Sequence, residues 1–405
     1  MTAWRQSNYH RRWLLGQADN LFNFFQFTAI NPRGGFYDLD DEGKPAGKVR
    51  QLHTTTRMVH CFAIAHLLGR PGADALIDHG MEYIWQSHRD SRHGGYIWSR
   101  DDDRLHDISK QAYGHGFVLL AASSAKCVGH PLADRMLADV TEVLETRFWE
   151  KSHGAQAEEF AQDWSPISNY RGQNSNMHLT EALMAAFEAT GDNAYLSKAE
   201  SIAGLIIGKH AASLGYRVAE HFDATWKVDL DYRGSDIFRP AGTTPGHWLE
   251  WSRLLLQLWE VGQRKLDWLP DASAKLFRSS VKLGWDAGKG GFHYTLDWNN
   301  QPALRQKIWW PATEGIGAAA YLAAHEDDPF YEEWYRRIWG FCNNHFIDHD
   351  RGGWHPELGA DMKPTQHFFK GKPDIYHSLQ ACLIPLFPAT GSLTRVIREA
   401  GGKLD

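Results

Sequence analysis

The chain has 405 residues, 43% of them hydrophobic and 23% charged, with a formal net charge of -6. This composition supports a large packed core and excludes a disordered chain. The mild acidity offers no basic stripe for phosphate backbones, so nucleic acid is not an expected partner.

Met1 to Trp13 carries Arg5, Arg11 and Arg12 without the apolar segment of a signal peptide, and nowhere do about 18 apolar residues run together. Neither export by that route nor a membrane span is expected. Cys61, Cys127, Cys342 and Cys382 show no paired spacing, which fits reduced thiols and a cytoplasmic location. Pro and Gly are spread along the chain rather than pooled into a linker, so residues 1–405 are read as a single domain.

A glycine turn recurs from one end of the chain to the other: Gly34-Gly35-Phe36, Gly94-Gly95-Tyr96, His153-Gly154-Ala155, Leu214-Gly215-Tyr216, Gly290-Gly291-Phe292 and Gly352-Gly353-Trp354. The aligned glycines at 35, 95, 154, 215, 291 and 353 are separated by 60, 59, 61, 76 and 62 residues, the signature of a structural repeat. Between the turns, apolar residues fall at helical spacing in pairs of runs. The first unit has Ala63 to Leu68 and Asp74 to Trp85. The third has Leu179, Leu183, Met184, Ala186 and Phe187, ended by Gly191, and a second run from Ala194 to about His210. The fifth has Ala318 to Ala324 and Tyr331 to Phe346.

Short strands are expected beside the turns, at Gly95-Tyr96-Ile97-Trp98 and Phe292-His293-Tyr294. The 76-residue interval predicts an inserted loop over Phe222 to Pro240. Six copies without a polar capping repeat favour an all-α closed ring of six inner and six outer helices over an open solenoid.

Each inner helix carries polar side chains that a buried helix does not need. Asn174, His178 and Glu181 lie at i, i+4 and i+7, and His53, Arg57 and His60 repeat that spacing. His247 and Glu250 share a face, as do Trp310 and Glu314, and Asp374 and His377; Gln111, Tyr113 and His115 are the second unit's set. His60 and His115 are read as structural. Each set falls in the first two turns of the first helix after a glycine turn, so a closed ring brings them together around a polar pocket. Helix N-termini add partial positive charge there, suited to a developing oxyanion.

The tracts Thr243-Thr244-Pro245-Gly246-His247-Trp248-Leu249-Glu250-Trp251 and Trp309-Trp310-Pro311-Ala312-Thr313-Glu314 resemble the N-acylglucosamine 2-epimerase superfamily. So do Arg57 after its Thr run, Tyr113, the Asn174–His178 pair and Lys372-Pro373-Asp374-Ile375-Tyr376-His377. The resemblance implies an (α/α)6 barrel with a deep central pocket, a small-molecule sugar as partner, and no metal or other cofactor. A homo-oligomer is left open.

PGHWLEWSRLLL resembles the aldose–ketose isomerase branch more than the acylated-sugar epimerases. The family pattern makes His247 and His377 the acid/base pair, assisted by Glu250 and Glu314, with Arg57, Tyr113, Asn174, His178 and Trp310 lining the pocket. Pro373 departs from the polar residue found there in some isomerases. The expected chemistry is ring opening assisted by His247, then transfer of the C2 proton to C1 by His377, with Glu250 setting the tautomer of His247. The alternatives are a sugar C2 epimerase, an (α/α)6 glycoside hydrolase using Glu250 and Glu314, a metal-dependent isomerase, and a helical-repeat binding protein.

Overall fold

The computed structural model describes residues 3–402. Its helices, in chain order, are α1 (Asn8–Thr28), α2 (Leu52–Leu67), α3 (Ala73–Tyr83), α4 (Ala112–Cys127), α5 (Ala133–Val143), α6 (Gln173–Thr190), α7 (Asn193–Ala203), α8 (Pro245–Val261), α9 (Trp268–Leu283), α10 (Trp309–His325), α11 (Pro329–His345), α12 (Ile375–Leu383) and α13 (Leu393–Glu399). The even-numbered helices up to α12 each pack on the next, and α12 returns to α2, which closes an inner ring.

These inner helices are apolar almost all round and are buried accordingly, as in α8, where Trp248, Leu249, Trp251, Leu254 and Leu255 are all inaccessible. The outer helices are amphipathic: α9 buries Leu269, Ala272, Leu276 and Phe277 and exposes the opposite face. Full burial of a side chain such as Phe277 is worth about 1.5–3 kcal/mol. The fold is thus an all-α (α/α)6 barrel. Among the described residues no helix is long and apolar enough to cross a membrane.

The six helix pairs are not all contiguous. After α12 the chain makes a short 3-10 turn and the seven-residue α13, and the outer partner of α12 is α1 at the other end of the chain. The sixth pair is therefore assembled from both termini, which locks the ring.

All six repeat glycines, Gly35, Gly95, Gly154, Gly215, Gly291 and Gly353, adopt positive φ between 67° and 73°. A left-handed residue is needed there because the chain reverses from an outer helix into a hairpin. The strands are shorter than expected and shifted: Tyr96 and Phe292 make only single bridges, to Arg89 and Trp285, and regular pairing begins at Ser99 and Thr295.

The hairpins interlock. The residues just before an inner helix pair antiparallel with the next unit's hairpin: Arg50–Gln51 with Ser99–Arg100, Lys110–Gln111 with Glu159–Phe160, Arg171–Gly172 with His221–Phe222, and Lys307–Ile308 with Glu357–Leu358. Single bridges Thr243–Leu296 and Leu39–Lys372 complete the circle.

Buried cations brace these joints. Lys110 reaches Asp90 at 2.9 Å, Lys307 reaches Asp286 at 3.0 Å, and Lys372 pairs with Asp348. Each aspartate also accepts backbone N–H groups of its own glycine turn, such as those of Arg92 and His93 on Asp90, so neither charge is buried unpaired.

At the closing bridge Gly371 has a φ of +69°, and a Cβ there would lie 1.9 Å from the Leu39 carbonyl oxygen. Gly371→Ala is expected to cost about 1–3 kcal/mol from backbone strain, with the clash adding to it. A lowered denaturant midpoint would register this, and an unchanged midpoint would mean that the joint does not hold the ring.

Candidate functional site

The inner helices all start at the hairpin end of the barrel, and their first two turns surround a cavity of about 950 Å3. The second and sixth positions recur as lining: His53 and Arg57 on α2, Asn174 and His178 on α6. The same register gives Tyr113 on α4 and Trp310 on α10 at the second position and Glu250 on α8 at the sixth. His247 and His377 sit at the third positions of α8 and α12.

Two histidines are each oriented by a buried carboxylate. His247 Nδ1 lies 2.8 Å from Glu220 Oε2, and Glu220 also accepts from Gln173 Nε2 and the Thr244 backbone N–H. Burial alone pushes the Glu220 pKa up, but the neighbouring His247 outweighs it and leaves the carboxyl below its ordinary value. His377 Nδ1 lies 2.8 Å from Glu314 Oε1, while Arg253 Nε donates to Glu314 Oε2 at 2.9 Å. Glu314 is held ionised: its burial opposes charge, and Arg253 and His377 overcome that.

With Nδ1–H donated to a carboxylate, each imidazole keeps its Nε2 lone pair for other chemistry. Burial lowers the pKa of His377, an effect that Glu314 opposes. The Trp310 ring is close to both, its centroid 4.8 Å from that of His247 and 6.0 Å from that of His377.

Glu250 is in the opposite electrostatic state. It is 1% exposed, neither carboxyl oxygen has a hydrogen-bond partner, and burial together with the nearby Glu314 raises its pKa well above the ordinary value. Burial thus favours the protonated form, which carries an O–H to donate. His178 Nδ1 lies 3.5 Å away, and desolvation keeps that imidazole neutral too.

His178, Glu181 and Glu250 bring ligand atoms within 4.8 Å of one another, the composition of a metal site. Here the countercharge is already supplied: Arg253 Nη1 lies 3.3 Å from Glu181 and Nη2 lies 3.8 Å from Glu250, while Tyr376 Oη donates to Glu181. A dication beside this guanidinium would be repelled.

On the far side of the cavity, Arg57 Nη1 donates to Asp374 at 2.8 Å and Nη2 donates to Tyr113 Oη at 2.7 Å. The guanidinium also lies over the rings of Phe117 and Tyr376. Asp374 caps α12 by accepting from the Tyr376 backbone N–H, so the Arg57 clamp is tied to the helix that carries His377. Asn174 lines the cavity, and its Oδ1 is buried without a hydrogen-bond partner.

The structure brings Arg57, Tyr113, Asn174, His178, His247, Glu250, Trp310 and His377 to one cavity. Glu314 does not line it; that carboxylate lies behind His377, which leaves no Glu250–Glu314 pair to flank a glycosidic bond. The expectation that Glu250 sets the tautomer of His247 is corrected, because Glu220 occupies that position. One helical turn separates Glu250 from His247, but their side chains diverge, and Glu250 turns toward His178 and Arg253.

His60 and His115 are structural as read, bonded to Ser124 and to the backbone at Gln111 and Tyr96. Glu220 and Arg253 were not singled out by sequence. The inserted segment forms part of the cavity wall through Ile237, Phe238 and Pro240. It is pinned by Arg239 on Glu159 at 2.9 and 3.1 Å and by Tyr294 Oη donating to the Ile237 carbonyl at 2.7 Å.

A barrel with this double histidine–carboxylate site defines a class, and comparison with known proteins agrees. The N-acylglucosamine 2-epimerase family model matches residues 34–381, and the chain belongs to that family. It is 42% identical over 402 residues to a D-mannose isomerase of Pseudomonas cannabina pv. alisalensis, covering 97% of this chain and 96% of the other. It is 40% identical over 409 residues to a D-mannose isomerase of Thermobifida fusca, covering 99% and 100%. A crystal structure of a D-mannose isomerase superimposes with a TM-score of 0.87 at 34% identity, over 93% of this chain and 97% of that one.

Proposed function

We propose that the protein is an aldose–ketose isomerase that interconverts D-mannose and D-fructose through a cis-enediolate. The observation that carries this reading is the pair of buried histidines, each with Nδ1 on a carboxylate and Nε2 free, both close to Trp310. The hydrogen beside an aldehyde is weakly acidic, and its removal needs a base of near-neutral pKa together with donors for the developing oxyanion.

In this reading His247 assists opening of the pyranose ring, and the open chain lies against Trp310. His377 Nε2 takes the C2 proton, leaving an enediolate whose oxygens accept from the neutral Glu250 carboxyl. His377 returns the proton to C1. His247 moves the hydroxyl proton from O2 to O1, so that the carbonyl passes from C1 to C2 with no net gain or loss of protons. Glu314 and Glu220 act through their histidines, while Arg57, Tyr113, Asn174 and His178 position the sugar.

A C2 epimerase would use the same enediolate and return the proton to C2 from the opposite face. Two histidines facing one cavity could serve that reaction as well. The test is turnover of D-mannose in heavy water, with product identification by chromatography and location of the label. Fructose carrying deuterium at C1 is expected. Glucose labelled at C2, with no ketose formed, would replace this reading with epimerisation.

A further inference from the structure

We infer that Asp38 is a specificity residue, accepting hydroxyl hydrogens from the end of the sugar remote from His247 and disfavouring hexoses that carry an anionic group there. This rests on the isomerase reading above and extends it to how the substrate is chosen. Asp38 lies on the cavity wall in the first hairpin, beside α2, which stands across the inner ring from α8 and His247 and next to α12, which carries His377.

The repeat makes Asp38 comparable with one position in each of the other five hairpins, because all six occupy the same register beside the joints. The equivalents are Ser99, Glu159, His221, Thr295 and Glu357. Each of those is bound within the hairpin layer. Ser99 accepts from the Asp107 N–H, Thr295 from the Leu304 N–H, and Glu357 from the Phe368 and Phe369 N–H groups. Glu159 takes Arg239 and Ser168, and His221 bonds Tyr170 and the Pro240 carbonyl.

Asp38 departs from that pattern. Its carboxylate turns to Thr54 Oγ1 at 3.1 Å and Gln51 Nε2 at 3.4 Å and faces the cavity with no cation among its partners. The remaining lone pairs are directed at ligand space, and carboxylates bind vicinal hydroxyls by accepting from both. Among the cavity-lining cations, Arg57 is committed to Asp374 and Lys372 to Asp348, while Lys48 and Lys370 also line the cavity, so the D38N comparison reads how far Asp38 outweighs those two lysines. The joint at Leu39, the next residue, holds the carboxylate in place.

The test compares wild type, D38N and D38A on D-mannose and on D-mannose 6-phosphate, with melting temperatures as a check on folding. For D38A the KM for mannose is expected to rise about tenfold to a hundredfold, the worth of a hydrogen bond to a charged group, with kcat little changed. D38N, which removes the charge and keeps the shape, should raise the 6-phosphate to mannose ratio of kcat/KM by at least about tenfold. No mannose turnover by the wild type would sink the isomerase reading itself. Wild-type turnover together with an unchanged KM in D38A and an unchanged ratio in D38N would overturn the role of Asp38 alone.

Discussion

Replacing His377 by alanine lowers kcat on mannose by at least about 10²–10⁴-fold, the usual contribution of a general acid/base group, while the barrel stays folded because the side chain faces the cavity. Glu314→Gln is the companion variant. It keeps the shape beside His377 Nδ1 but removes the charge that stabilises the imidazolium.

The sign of the pH effect follows from the causes. Burial lowers the His377 pKa and Glu314 raises it, so loss of Glu314 lowers it further. The acid limb of kcat/KM, already below pH 6.5 in the wild type, should move to still lower pH in Glu314→Gln, with a reduced plateau because the base is weaker. A plateau loss without movement of the acid limb would assign Glu314 a packing role. Near-full turnover by His377→Ala would end the assignment of His377 as base.

Arg253→Met destabilises the protein by about 3–5 kcal/mol near neutral pH, as expected when one partner of a buried ionic cluster is removed. Arg253 is 1% exposed, donates to Glu314 at 2.9 Å and to Gln257 at 3.0 Å, and lies 3.3 Å from Glu181. Without it, the Glu314 and Glu181 carboxylates lose the cation they share.

Glu314 has a depressed pKa in the folded wild type, so its stabilising contribution is complete above the ordinary glutamate pKa of about 4.3 and is lost as pH falls through the lower folded value. In the variant the largest cause of that depression is gone and only His377 still lowers the value. The stability gap between the two proteins should therefore be widest near pH 7 and narrow as pH drops below about 4–5, as measured by urea unfolding at several pH values. A gap independent of pH would show that lost packing, not charge, dominates.

Much of the architecture was legible because the repeat is written in chemistry with one solution. A glycine at each outer-to-inner reversal is required by the left-handed backbone there, and all six aligned glycines adopt it. The polar residues of the inner helices stood out because Arg57, His178, His247 and Glu314 interrupt helices that are otherwise apolar all round and buried. What lay behind them was not legible. Glu220 is 27 residues upstream of its partner His247, on a hairpin whose path depends on pairing with the preceding unit. Arg253 sits one turn past Glu250, where a sequence reading sees a solvated cation rather than the hub of three carboxylates.

The sequence by itself determined the number of units and most of the helix pairs, since helical periodicity and glycine conformation act over a few residues, and its motifs carried the family. Only the tertiary structure decided which carboxylate serves which histidine, that the pKa of Glu250 is pushed up while that of Glu314 is pushed down, and that α1 supplies the outer helix of the last pair. Partner choice and ionisation depend on burial and on charges brought close from distant units, and those distances exist only once the ring has closed.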